Sequence, residues 1–84
     1  MKVVTIGRHP NDDVVINDPC VTRCQLTITQ YDDDNFSIIN HGENFTFVNG
    51  QSIGRSCETK LYPNDIVKIG NTILPWQIYF EKRL

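Results

Sequence analysis

Residues 45–53 read Phe45-Thr46-Phe47-Val48-Asn49-Gly50-Gln51-Ser52-Ile53, and this stretch decides the fold class. Asn49-Gly50 is the pair that a two-residue type I′ turn demands, because both central residues must take φ > 0. It lies between runs rich in β-branched and aromatic residues, the pattern of a tight β-hairpin. A two-residue loop sets the register, so Val48 faces Gln51 and Thr46 faces Ile53. Val48 and Ile53 then share one face, expected to meet the core, while Phe45 and Phe47 point to a second surface. Such a hairpin fits any all-β protein, and the flanking chain has to narrow the reading.

Toward the N-terminus, Gln25–Gln30 and Phe36–Ile39 alternate at the period of half-buried strands, with Leu26 and Ile28 on one face and threonines on the other. The acidic turn Asp32-Asp33-Asp34-Asn35 joins them. Val3–Ile6 reads as a first strand ending at Gly7-Arg8. Val14–Ile16 is a short strand between the turn chemistry of His9–Asp13 and the breaker Asn17-Asp18-Pro19. Toward the C-terminus, Gly54–Lys60 shows little pattern and reads as a connector. Ile66–Ile69 and Thr72–Leu74 flank a tight turn at Gly70-Asn71. Pro75 interrupts the last run, which suits an edge or a bulge, and Trp76–Phe80 is expected to close the sheet. No segment has sustained helical period. The chain reads as all-β, with about eight to eleven short strands at the spacing of sandwiches and barrels and no significant helix.

Eighty-four residues make one domain, spanning 1–84, and 39% hydrophobic content allows it a core. Net charge is -2, which argues against a general affinity for nucleic acid or anionic membranes but leaves room for a single phosphate. No apolar run reaches the length of a membrane span, and Met1–Thr5 is too soon interrupted by Arg8 for a signal peptide. The three cysteines, Cys20, Cys24 and Cys57, are an odd count that fits a reducing compartment and a cytoplasmic location. Cys20 and Cys24 with His9 and His41 lack the paired short spacings of zinc folds, so no metal site is expected. The acidic turn lacks the glycine and distal acid of a calcium loop. No nucleophile elbow, phosphate-binding glycine loop or zinc-protease motif is present, and neither catalysis nor a cofactor is expected.

Three loops carry the informative chemistry. Gly7-Arg8 ends the first strand, Thr22-Arg23 precedes the Gln25 strand, and Asn44 precedes the hairpin. Hairpin connections can bring all three to one end of a sandwich. There they would gather two guanidinium groups, a hydroxyl, a carboxamide and loop N–H groups. A phosphorylated side chain offers three strong acceptor oxygens and a charge near -2. Arginine answers it bidentately, which a lysine does not.

The ordered set Ile6-Gly7-Arg8, Asn11–Ile16, Val21-Thr22-Arg23-Cys24-Gln25, Thr46–Gly50 and Asn64–Gly70 resembles the forkhead-associated (FHA) domain over nearly the whole chain. The resemblance implies a two-sheet antiparallel β-sandwich that reads phosphothreonine peptides through loops at one end. It implies that Arg8 holds the phosphate, that Thr22 stands at the family's phosphate-donating serine, that Arg23 flanks it, and that Asn44 bonds the ligand's main chain. Gly7 and Gln25 would support the site, with Asn49 and Gly50 as a structural hairpin. Thr22-x-x-Gln25 replaces the family's Ser-x-x-His. Phe45 stands at a glycine position, and Glu43 adds a negative charge nearby. The partner expected is a phosphothreonine-bearing protein or peptide, bound by a monomer compatible with excision from a longer protein. The alternative is a degenerate FHA-like scaffold that binds its partner without phosphate, favoured by an exposed patch of Phe47, Trp76 or Tyr79.

Overall fold

A computed structural model describes residues 1–42 and 46–81. Its strands are β1 (Lys2–Gly7), β2 (Val14–Val15), β3 (Leu26–Asp32), β4 (Asn35–Asn40), β5 (Thr46–Val48), β6 (Gln51–Ser52), β7 (Glu58–Leu61), β8 (Val67–Ile69) and β9 (Thr72–Leu74). They form a five-stranded sheet ordered β2-β1-β3-β4-β7 and a four-stranded sheet ordered β6-β5-β8-β9. The expected two-sheet sandwich is the observed one. Every pairing is antiparallel except that of the short β2, which runs parallel to β1 with Ile6 opposite Val14.

Alternation explains the core. Val4 and Ile6 of β1, Leu26 and Ile28 of β3, and Phe36 and Ile38 of β4 turn to one face and are buried. Leu61, Val67, Ile69 and Leu74 join the same cluster from the other strands. Each large aliphatic side chain buried there contributes about 1.5–3 kcal/mol relative to exposure.

The hairpin forms in the expected register, with Val48 opposite Gln51 and Phe47 opposite Ser52. Asn49 and Gly50 take φ of 52° and 84°, the left-handed values that the turn requires. Thr46 and Ile53 are buried, and Val48 and Phe47 are half-buried; Phe45 lies outside the described residues. Asn49 also ties the turn to the next loop. Its Nδ2 donates to Asp65 Oδ1 at 2.9 Å, and its Oδ1 accepts from the Ile66 N–H at 2.9 Å.

Two expectations are corrected. The supposed connector holds β7, which extends the first sheet by pairing with β4, Phe36 lying opposite Leu61. Its segment lacks alternation because Glu58 and Lys60 stand exposed on an edge strand and only Leu61 is fully buried. The second correction concerns Trp76–Phe80, which forms a 3-10 helix rather than a closing strand. Pro75 offers no N–H to continue a ladder, and its carbonyl accepts from the Ile78 N–H at 3.1 Å. The tighter turn drives Trp76 and Phe80 inward against Phe36, where all three rings meet edge to face.

The acidic turn has its own electrostatics. Asn35 Nδ2 donates to Asp32 Oδ2 at 2.6 Å, and the Asp34 N–H donates to Asp32 Oδ1 at 3.1 Å. These bonds, the Asn35 side chain first, hold the Asp32 carboxyl below its ordinary range. A carboxyl whose pKa is lower folded than unfolded adds stability above its unfolded pKa and loses it as pH falls through the folded value. Asp32→Asn is therefore expected to flatten the acid side of the stability profile slightly, as read from urea midpoints on acidification from neutral pH. An unchanged profile would rule the turn out as a source of acid sensitivity.

Candidate functional site

The end of β1 is pressed against the loop that precedes β3. A β-carbon on Gly7 would lie 2.4 Å from the Cys24 backbone nitrogen and 2.8 Å from Cys24 Cα, so this approach admits only hydrogen. The Arg8 N–H donates to the Thr22 carbonyl at 3.1 Å, joining the two loops directly. Asp12 fastens them a second time, because its Oδ2 accepts from the His9 N–H and the Cys24 N–H, each at 3.1 Å. Gly7→Ala is expected to cost about 2 kcal/mol, the overpacking range, since the Cys24 backbone as well as the Asp12 carboxylate must yield. Chemical denaturation checks this, and a cost near zero would mean the loops part easily.

Cys24 has φ of 49°, a left-handed value uncommon for a residue with a β-carbon. This reversal separates exposed Thr22 and Arg23 from buried Gln25. The Gln25 carboxamide links three segments. Its Oε1 accepts from the Thr22 N–H at 3.0 Å and from Thr22 Oγ1 at 2.8 Å. Its Nε2 donates to Thr46 Oγ1 at 3.1 Å and to Asn40 Oδ1 at 3.3 Å. Gly42 packs flat on the same group, for its notional β-carbon would lie 2.4 Å from Gln25 Nε2. Glutamine here thus bonds both the backbone and the hydroxyl of Thr22, as a buried polar group must find partners.

Thr22 and Arg23 line an open cleft of about 720 Å³, together with Cys24, His41, Gly42 and Arg55. Arg8 stands exposed on the adjoining loop and is outside that lining. Asn44, the remaining ligand-contacting residue expected from the sequence, lies outside the described residues, as does Glu43. Asn49 and Gly50 occupy the other end of β5 from Thr46 and act on the hairpin alone.

Asp12, His41 and Arg55 were not assigned to the site by their sequence context. Asp12 reads as ordinary turn chemistry, and only the fold shows it spanning two loops. Arg55 sits in the patternless connector. It reaches the cleft because the Ser56 N–H donates to the carbonyl of Asn40 at 2.6 Å, drawing that turn to the end of β4. Among the described residues, no group of three or more His, Cys, Asp or Glu side chains gathers to hold a metal. None of the described helices is long and apolar enough to cross a membrane.

Two packed sheets, with the Arg8 and Thr22 loops joined at one rim, define a β-sandwich. A sequence model of the FHA domain matches residues 4–70. The chain belongs to the FHA domain family, whose members are binding modules rather than catalysts.

Solved structures similar to this chain include FHA domains. The N-terminal FHA domain of Rad53p from S. cerevisiae, solved in complex with a phosphothreonine peptide, is 27% identical with a TM-score of 0.74. The match covers 83% of this chain and 57% of that one, so the chain spans little more than half of that relative's length. The FHA domain of the CT664 protein from Chlamydia trachomatis is 27% identical, with 86% and 72% covered and a TM-score of 0.74. The FHA-2 domain of the Mycobacterium tuberculosis ABC transporter Rv1747 is 32% identical, with 86% and 64% covered and a TM-score of 0.68. No curated protein sequence matches the chain.

Proposed function

We propose that this domain docks phosphothreonine-bearing protein segments at the rim formed by the Arg8 and Thr22 loops. Arg8 grips the phosphate as a charge-assisted fork, and Thr22 donates its hydroxyl to a phosphate oxygen. Arg23 flanks the anion, and Asn44 bonds the peptide main chain. The observation that carries the reading is the bond from the Arg8 N–H to the Thr22 carbonyl at 3.1 Å, which sets these two loops side by side.

Gln25 makes the substitution of threonine for serine workable. The Thr22 hydroxyl rests on Gln25 Oε1 in the free domain, and the same oxygen also holds the Thr22 N–H. Turning the hydroxyl toward phosphate leaves the N–H bond in place, so the loop keeps its position as the ligand is engaged. The working partner is a protein phosphorylated on threonine, bound by a monomer in the cytoplasm. A phosphate-independent partner has less support. Trp76 is buried, and Phe47 and Tyr79 are half-buried, so the patch that would favour such a partner does not form from them.

An NMR titration with matched phosphorylated and plain threonine peptides tests the proposal. Only the phosphorylated peptide is expected to shift the amides of residues 7–9 and 22–25. Arg8→Ala should weaken binding by about 1.5–3 kcal/mol, the range for hydrogen bonds to charged groups. Affinity should fall as salt rises, because one exposed dianion carries most of it. Equal responses to the two peptides would point to the scaffold reading instead.

A further inference from the structure

We infer that the outer face of the four-stranded sheet is a second docking surface, fitted to a protein partner that presents apolar side chains around a carboxylate. This surface shares no residue with the rim of Arg8 and Thr22, so the inference goes beyond the phosphopeptide reading and does not depend on it.

Register places the surface. Phe47 lies opposite Ser52 on one side and Lys68 on the other, and Lys68 lies opposite Ile73. Paired residues share a face, so these four side chains form one row across β6, β5, β8 and β9. Their neighbours along the strands, Thr46, Val67, Ile69 and Leu74, point the other way and are buried in the sandwich. Ile66 stands two residues before Lys68 and so joins the outer face, its N–H donating to Asn49 Oδ1 at 2.9 Å. Ile73 is 65% exposed and Ile66 is 55% exposed. Isoleucines exposed singly are ordinary on a protein surface, but here two of them stand with half-buried Phe47 on one face of a sheet.

Lys68 decides what covers that face. It is half-buried at the centre of the row, between Phe47 and Ile73, and among the described residues it has no hydrogen-bond or ion-pair partner. The carboxylate nearest to it along the chain, Asp65, is engaged elsewhere, accepting from Asn49 Nδ2 at 2.9 Å and from the Tyr62 N–H at 2.8 Å. A purely apolar partner would strip water from the ammonium group and bury it unpaired, a cost that opposes the gain from apolar contact. The same charge opposes a second copy of this chain. A two-fold contact sets the same patch on both sides, and the central Lys68 would then meet its own copy. A carboxylate aimed at Lys68 removes the penalty and fixes how the partner lies on the sheet. The occupant is therefore a different protein, apolar with an acidic centre.

The test pans two phage-displayed libraries of short peptides against the full chain. Positions vary among valine, isoleucine, leucine and phenylalanine around a fixed central glutamate in one library and a fixed glutamine in the other. The glutamate library is expected to yield binders that shift the amides of residues 47, 66–68 and 73 and leave those of residues 7–9 and 22–25 in place. Lys68→Glu should weaken such a peptide about tenfold. The same peptide with lysine for its glutamate should bind Lys68→Glu and not the wild type, which also shows that the variant is folded. Ile73→Asp should abolish binding while the circular dichroism spectrum stays unchanged. The inference is overturned if neither library yields a binder, if glutamine peptides bind as tightly as glutamate peptides, or if the shifted amides lie off this face. Concentration-dependent dimerisation in sedimentation that Ile73→Asp removes would give the face to a second copy and overturn the partner inferred here.

Discussion

Trp76→Ala is expected to remove about 3–5 kcal/mol of stability, the range for deleting a large aromatic from a packed core. A domain of this size has roughly 4–12 kcal/mol in total, so the variant should sit near its unfolding threshold at body temperature. The ring is fully buried. It meets Phe36 edge to face at 5.0 Å and Phe80 at 6.4 Å, and its Nε1 donates to the Asp65 carbonyl at 2.8 Å. It therefore bolts the 3-10 helix to β4 and to the loop that Asn49 clamps. Trp76→Phe should cost much less, since the cluster survives and only the N–H bond is lost. The chain has one tryptophan, so the comparison is made by circular dichroism in urea rather than by fluorescence. A loss below about 1 kcal/mol for Trp76→Ala would mean that the 3-10 helix is peripheral to the core. Because Trp76 acts on the end of the hairpin away from Thr46, folded Trp76→Ala protein should still bind phosphopeptide.

Gln25→Ala is expected to damage stability and recognition together. Four hydrogen bonds end on this carboxamide, and the side chain is fully buried. Removing it opens a void under Gly42 and leaves the Thr46 hydroxyl and the Thr22 N–H each short of a partner. A cost of about 3 kcal/mol follows from the lost packing and the desolvated groups. Of the described bonds from the Thr22 loop to its neighbours, those of the Arg8 N–H and Asp12 would remain. Hydrogen exchange at the Thr22 amide should accelerate beyond what the loss of global stability explains, and phosphopeptide affinity of the folded fraction should drop about tenfold, or about 1.4 kcal/mol. Normal Thr22 protection in a destabilised Gln25→Ala domain would show that the carboxamide serves the core and not the site.

The hairpin, the alternating strands and the two arginine loops were legible in the chain because each is written locally. Asn49-Gly50 specifies its own left-handed turn, Leu26 and Ile28 declare a buried face by their spacing, and Gly7-Arg8 and Thr22-Arg23 stand beside recognisable breaks. The final aromatic run was misread because Trp76–Phe80 fits a strand by composition. Its fate depended on what lay opposite, namely Phe36 and the Asp65 carbonyl, neither of which is near in sequence. The β7 edge strand was missed for the complementary reason. An edge strand buries little, so Glu58–Leu61 carries almost no period to detect.

By itself, then, the sequence determined an all-β chain, the position of its tightest turn, and the residue types able to bind one phosphate. The tertiary structure alone decided that Asp12 joins the Arg8 and Thr22 loops, that Gln25 ties the Thr22 loop to Asn40 and Thr46, and that the Arg55 turn opens into the same cleft. The physical reason is range. Turns and alternation are set by neighbours along the chain, whereas a buried carboxamide chooses partners 15 and 21 residues away, and those choices exist only once the sheets have packed.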